Sequence, residues 1–126
     1  GIVAQKLFCT DLQHPMSTQV AKSNLPEGGV DLIVADVPCS GSGTWGRTPE
    51  LLRSFDETMI SEYQFMQKSI VTRLPAQLKP GGHFKEENDE VVDYIEQSLG
   101  LTLVRKEMIS GINEGGDHLF AALFTS

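Results

Sequence analysis

Asp36-Val37-Pro38-Cys39-Ser40-Gly41 puts a carboxylate, a proline and a thiol into one short stretch. Those are the residue types of nucleophilic and acid–base chemistry, with a cysteine acting through its thiolate. Proline fixes the backbone ahead of the thiol, and glycines behind it let a substrate approach closely. Each residue also has a plainer reading: Cys39 as a small buried thiol, Asp36 as a turn or capping residue. Gly41, Gly43 and Gly46 spell GxGxxG, a dinucleotide fingerprint whose third glycine belongs in the opening turn of a helix. Here Arg47-Thr48-Pro49 puts the helix start later, and Glu57 and Glu62 fall in a helical pattern rather than at the end of a second strand.

The elements around this stretch follow from its flanks. Residues 30–37 (VDLIVADV) are an almost continuous apolar run, which suits a parallel strand covered on both faces. The Asp-Val-Pro-Cys stretch then lies at its carboxyl end, where ligands bind in open α/β sheets. Residues 5–12 (QKLFCTDL) read as a short strand closing on Asp11, with Cys9 buried in it. Residues 13–29 carry Pro15, Pro26, Gly28 and Gly29 and read as a connection with little regular structure.

Thr48-Pro49-Glu50 looks like a helix start, and Ser54 and Glu57 have capping-box spacing. Met59, Ile60, Tyr63, Met66, Ile70, Val71 and Leu74 then describe one helical face, shortened by Pro75 and ended by LKPGG. Residues 86–99 give a second helix, with Val91, Val92, Ile95 and Leu99 on one side and Gly100 as its stop. Residues 101–109 and 118–125 read as strands separated by a turn segment over 110–117. Strands alternating with helices predict a sheet flanked by helices, mixed in direction where two strands follow each other. One junction breaks the alternation. After LKPGG a buried strand is due, yet Gly81-Gly82-His83-Phe84 runs straight into the helical KEENDE. The pattern predicts a missing strand here, with a helix–turn–helix as the alternative.

The 126 residues allow one domain at most, and 40% hydrophobic with 21% charged residues is a globular balance. No apolar run approaches the length of about 20 residues that a membrane span needs, and no signal peptide is visible. Cys9 and Cys39 form no disulfide framework or metal-spaced cluster, and His14, His83 and His118 are scattered, so no metal is assigned. A cytoplasmic, reduced setting is expected. The net charge of −7 argues against RNA binding by this chain alone, since nucleic-acid binders carry basic patches.

VDLIVADVPCSGSGTWGRTPE, then LKPGGH, then FKEENDEVVDYI resembles the Sun-type (Fmu) S-adenosylmethionine-dependent RNA cytosine-C5 methyltransferases, from about Phe8 to the closing GDHLFAALF. The resemblance implies a Rossmann-like methyltransferase fold with a mixed, mostly parallel sheet. Residues 1–126 would be the carboxyl-terminal portion of a single catalytic domain, lacking one strand and the amino-terminal cofactor loop. It implies S-adenosyl-L-methionine as cofactor and RNA as substrate, ribosomal RNA first and transfer RNA second. By the same resemblance, Cys39 is the cysteine that helps eliminate the enzyme from methylated product. Asp36 holds the edge of a flipped cytosine and borders the cofactor. Pro38 offers its carbonyl to the exocyclic amine, and Asp11 contacts the cofactor adenine. Arg47 is a candidate phosphate contact, with a surface ion pair as its alternative. Trp45 stacks on a base or caps the core.

Two departures set this sequence apart from the family pattern. The family's nucleophile lies in a Thr-Cys-Ser segment between LKPGG and EEN, where this sequence has only His83-Phe84-Lys85. The glycine-rich loop that cradles the cofactor's methionine end is also lacking. The chain is therefore expected not to methylate by itself. A non-catalytic interaction module descended from such an enzyme is the second reading, and a nucleotide-binding oxidoreductase the third.

Overall fold

The computed structural model describes residues 3–4, 6–45, 47–86, 89–110 and 118–126. Four strands form one sheet: β1 (Val30–Val34), β2 (Leu78–Glu86), β3 (Thr102–Ser110) and β4 (His118–Thr125), in the spatial order β1-β2-β4-β3. β1 and β2 are parallel, and β4 runs antiparallel to both β2 and β3. Three strands therefore share one direction, and the sheet is mixed as expected, although two of its three pairings are antiparallel rather than parallel.

Helices α2 (Thr58–Val71) and α3 (Asp89–Ser98) cover one face of it. Val91, Val92 and Ile95 of α3 and Val71 of α2 pack against Ala35, Phe84, Leu101, Ala122 and Phe124 in one core. Spacings of three and four put those α3 residues on a single face. Gly100, at φ +65°, makes the left-handed stop that ends the helix, as its position after an apolar Leu99 suggests.

The other sheet face is open among the described residues. Leu32 and Val34 of β1 are 53% and 56% exposed. β1 was expected to be covered on both faces, but as an edge strand it is covered on one. Alternation holds from Leu32 onward, with Ile33 between the exposed pair and Ala35 just after it turned to the core.

The junction after LKPGG corrects a further expectation, because a strand is present there. β2 takes in the whole of LKPGGHFKE. The KPGG stretch bulges between the pairs Val30↔Leu78 and Leu32↔His83, and normal register then resumes with Ile33↔Phe84. Gly82 is required at this bulge because a Cβ would lie 2.9 Å from the Lys79 carbonyl oxygen. Lys79 closes the bulge across to β1 by an ion pair with Asp31 at 2.9 Å. A single buried aromatic, Phe84, anchors the strand in the core, which is too short a signal for periodicity to register. β2 pairs with β4 only as far as Glu86↔Ala122, whereas β4 continues beside β3 back to His118.

Three other readings change. Residues 6–12 form no strand, since no described strand offers them a ladder and a strand without one leaves its backbone groups unpaired. Cys9 is accordingly exposed rather than buried. Within the supposed connection, α1 (Thr18–Asn24) forms behind Ser17, whose hydroxyl accepts from the Val20 N–H at 3.2 Å. The capping box at Ser54 and Glu57 does not form. Asp56 instead caps α2, accepting from the Thr58 N–H and hydroxyl, both at 2.8 Å. Thr48-Pro49 does open a helix, a short 3-10 turn over Pro49–Ser54. The turn expected over residues 110–117 lies, beyond Ser110, outside the described residues.

Candidate functional site

The Asp-Val-Pro-Cys stretch follows β1 directly. Val37 packs on the core, and Asp36, Pro38 and Cys39 are all exposed. The turn is closed at several points. Gly41, at φ +71°, reverses the chain so that its N–H lies 3.4 Å from the Cys39 sulfur. The Thr44 hydroxyl donates to the Gly41 carbonyl at 2.8 Å, and the Ser42 N–H donates to the Ser40 hydroxyl at 3.3 Å. A 3-10 turn over Ser42–Thr44 follows, rather than the α-helix that a dinucleotide fingerprint opens. Gly46 lies outside the described residues.

The carbonyl of Pro38 is engaged from below. Gln67 of α2 is 1% exposed, and its side-chain amide donates to that carbonyl at 2.7 Å. Sequence reasoning missed Gln67. The signal was there, since Gln67 falls four residues after Tyr63 and four before Val71, inside an otherwise apolar stripe.

Asp36 carries no hydrogen bond or ion pair to a described residue, which leaves its carboxylate open to a ligand. Asp11 lies in an irregular segment, where its carboxylate accepts from the Gln13 N–H at 2.8 Å and pairs with His14 at 2.9 Å. Those contacts, the Gln13 N–H first, hold its carboxyl below the usual range. Arg47 follows the glycine turn, exposed, with its N–H on the Thr44 carbonyl at 2.9 Å. Trp45 packs edge to face on Phe55, ring centroids 4.9 Å apart.

A cavity of about 490 Å³ opens beside β1, lined by Phe8, Cys9, Leu12, Leu25, Ile33 and Leu74 among others. Thr10 and Leu12, the neighbours of Asp11, both line it, whereas Asp36 and Cys39 do not. Its size and apolar lining fit a flat aromatic ring. No group of three or more His, Cys, Asp or Glu among the described residues is placed to hold a metal.

The model of one family, described as 16S rRNA methyltransferase RsmB/F, matches residues 2–99, a span that holds the Asp-Val-Pro-Cys turn, β2 and α3. The chain belongs to that family. The Sun-type resemblance read from the motifs is borne out at this level. The ribosomal RNA small subunit methyltransferase F of Shewanella loihica is 28% identical over 95 residues, covering 69% of this chain and 19% of the relative. The protein of that name from Vibrio vulnificus is 26% identical over 119 residues, covering 81% and 25%. The chain thus spans about a fifth to a quarter of the length of these curated relatives. The crystal structure of PH0851 shares the fold, with TM-score 0.70 and 21% identity over 77% of this chain and 27% of that one. Among the described residues no helix is long and apolar enough to cross a membrane.

Proposed function

We propose that the chain is the carboxyl-terminal portion of a single catalytic domain of a cytoplasmic enzyme. That enzyme methylates C5 of cytosine in ribosomal RNA, using S-adenosylmethionine. The observation that carries this reading is the family match over residues 2–99, taken with an exposed thiol and an open carboxylate at the carboxyl end of β1. The base must leave its stack to meet them.

In this reading Asp36 holds the pyrimidine edge, where a carboxylate favours a proton on the ring nitrogen. Pro38 offers the exocyclic amine the lone pair that Gln67 leaves, since a carbonyl oxygen has two. Cys39 assists the elimination that frees methylated product, and Arg47 meets phosphate. When bound, S-adenosylmethionine supplies the methyl group. The apolar cavity beside Asp11 would hold its adenine, and Asp36, outside that cavity, would border the cofactor nearer the reacting base. The nucleophile that adds to the base is not among these residues. The family's Thr-Cys-Ser would lie between Gly82 and Glu86, and this sequence has no cysteine there.

Methyl transfer from labelled S-adenosylmethionine to 16S rRNA tests the proposal. The 126-residue chain is expected to transfer none. The longest polypeptide encoded around it, sequenced between the codons for Leu78 and Glu87, is expected to yield 5-methylcytosine if Thr-Cys-Ser is encoded there. Transfer by the chain itself, or a methyl group on any other atom, overturns the reading. The lack of a cysteine near the end of β2 also favours a second reading, a non-catalytic module, which predicts that no Thr-Cys-Ser is encoded there.

A further inference from the structure

We infer that Gln67 is a positioning residue for the Pro38–Cys39 turn, an inference that rests on the methyltransferase reading and deepens it. Gln67 lies on the buried face of α2 beside Ile70 and Val71, where an apolar side chain of its length would pack with no need of a partner. A buried amide is costly unless it is hydrogen-bonded. One partner here is the carbonyl of Pro38, 29 residues away in sequence and at 2.7 Å.

That carbonyl needs a donor. β1 ends at Val34, so no ladder reaches Pro38, and its backbone oxygen takes a donor from the buried Gln67 amide instead. Gln67 therefore holds that oxygen toward α2, although Pro38 as a residue is exposed. The peptide is planar and trans, so the N–H of Cys39 is directed the opposite way, toward solvent. One contact from below thus sets three things above it. It fixes the outward N–H of Cys39, the starting direction of the Cys39 side chain, and which lone pair of Pro38 remains for an incoming amine. The far end of the turn is pinned separately by Thr44 on Gly41, so Gln67 and Thr44 hold opposite ends of the loop that carries the thiol.

The test is carried out on the 126-residue chain by NMR, reading the carbonyl ¹³C shift of Pro38 and the amide shift of Cys39. Q67L removes the donor and is expected to move both resonances while shifts around Val92 and Phe124 stay in place. Q67E supplies a donor only when protonated. Its Pro38 and Cys39 shifts are expected to follow a single titration, wild-type-like at the acid end and displaced at the alkaline end. A purely space-filling Gln67 gives no such titration. Should Q67L fail to fold, the Q67E titration alone decides. Pro38 and Cys39 shifts that match wild type in Q67L, or that stay constant with pH in Q67E, overturn the inference. The readout needs neither RNA nor cofactor, so a failed methyl-transfer assay leaves it standing.

Discussion

Phe84 of β2 and Phe124 of β4 are register partners in the antiparallel pair, both fully buried, with ring centroids 6.4 Å apart and planes tilted by 52°. This pair joins β2 to the rest of the core. Truncating Phe84 to Ala removes the fully buried aromatic of β2 and leaves a cavity, at a cost of about 3–5 kcal/mol. A domain of this size has little more than that to lose. Urea unfolding followed by tryptophan fluorescence is expected to show F84A largely unfolded in buffer, and a midpoint close to wild type would contradict this role for the pair.

Gly28 and Gly29 separate two kinds of glycine requirement. Both have positive φ, 83° and 98°, but a Cβ at Gly28 meets open space, whereas at Gly29 it would lie 2.6 Å from the Gln77 carbonyl oxygen. G28A should lose about 1–2 kcal/mol from the left-handed backbone alone. G29A should lose clearly more, because β1 and the start of β2 must separate to admit the methyl group. Equal thermal midpoints for the two variants would show that the close approach is unimportant.

Acid should loosen the start of α2. The Asp56 carboxyl is held below its usual range by the Thr58 N–H, then by the Thr58 hydroxyl. A depressed folded-state pKa stabilises fully above the unfolded value, and that contribution fades as pH falls through the lower folded value. Wild type is therefore expected to lose more stability than D56N between neutral pH and about pH 3. Urea midpoints across that range provide the comparison, and parallel profiles would remove Asp56 from the account.

The open face of β1 should make the chain self-associate. An edge strand carrying exposed Leu32 and Val34 offers unpaired backbone beside apolar surface, and a lysine on such an edge blocks pairing. V34K is expected to lower the apparent mass in size-exclusion chromatography at high concentration. A wild-type chain already monomeric at every concentration would refute the expectation.

Sequence reasoning worked where local signals were strong. The strand 118–125, the helix behind Val91, Val92 and Ile95, and the stop at Gly100 all follow from spacing and one glycine. It erred where long-range partners decide the outcome. Residues 5–12 have strand-forming composition but no described ladder to join. β2 is the reverse case: KPGG reads as a turn, and only β1 and β4 on either side make a strand of it. α1 was hidden by the prolines and glycines around it, although Ser17 was its cap. At the site, Asp36, Pro38 and Cys39 were legible as a constellation. Their support was not, because Gln67 lies 29 residues away from Pro38 in sequence and is polar on an apolar stripe.

β4 begins at His118, well before Ala122, where its pairing with the end of β2 stops. Residues 118–121 of β4 are therefore hydrogen-bonded to β3 alone among the described strands. Residues inserted directly after Glu86 would extend β2 alongside this part of β4 and leave the Phe84–Phe124 pair in register.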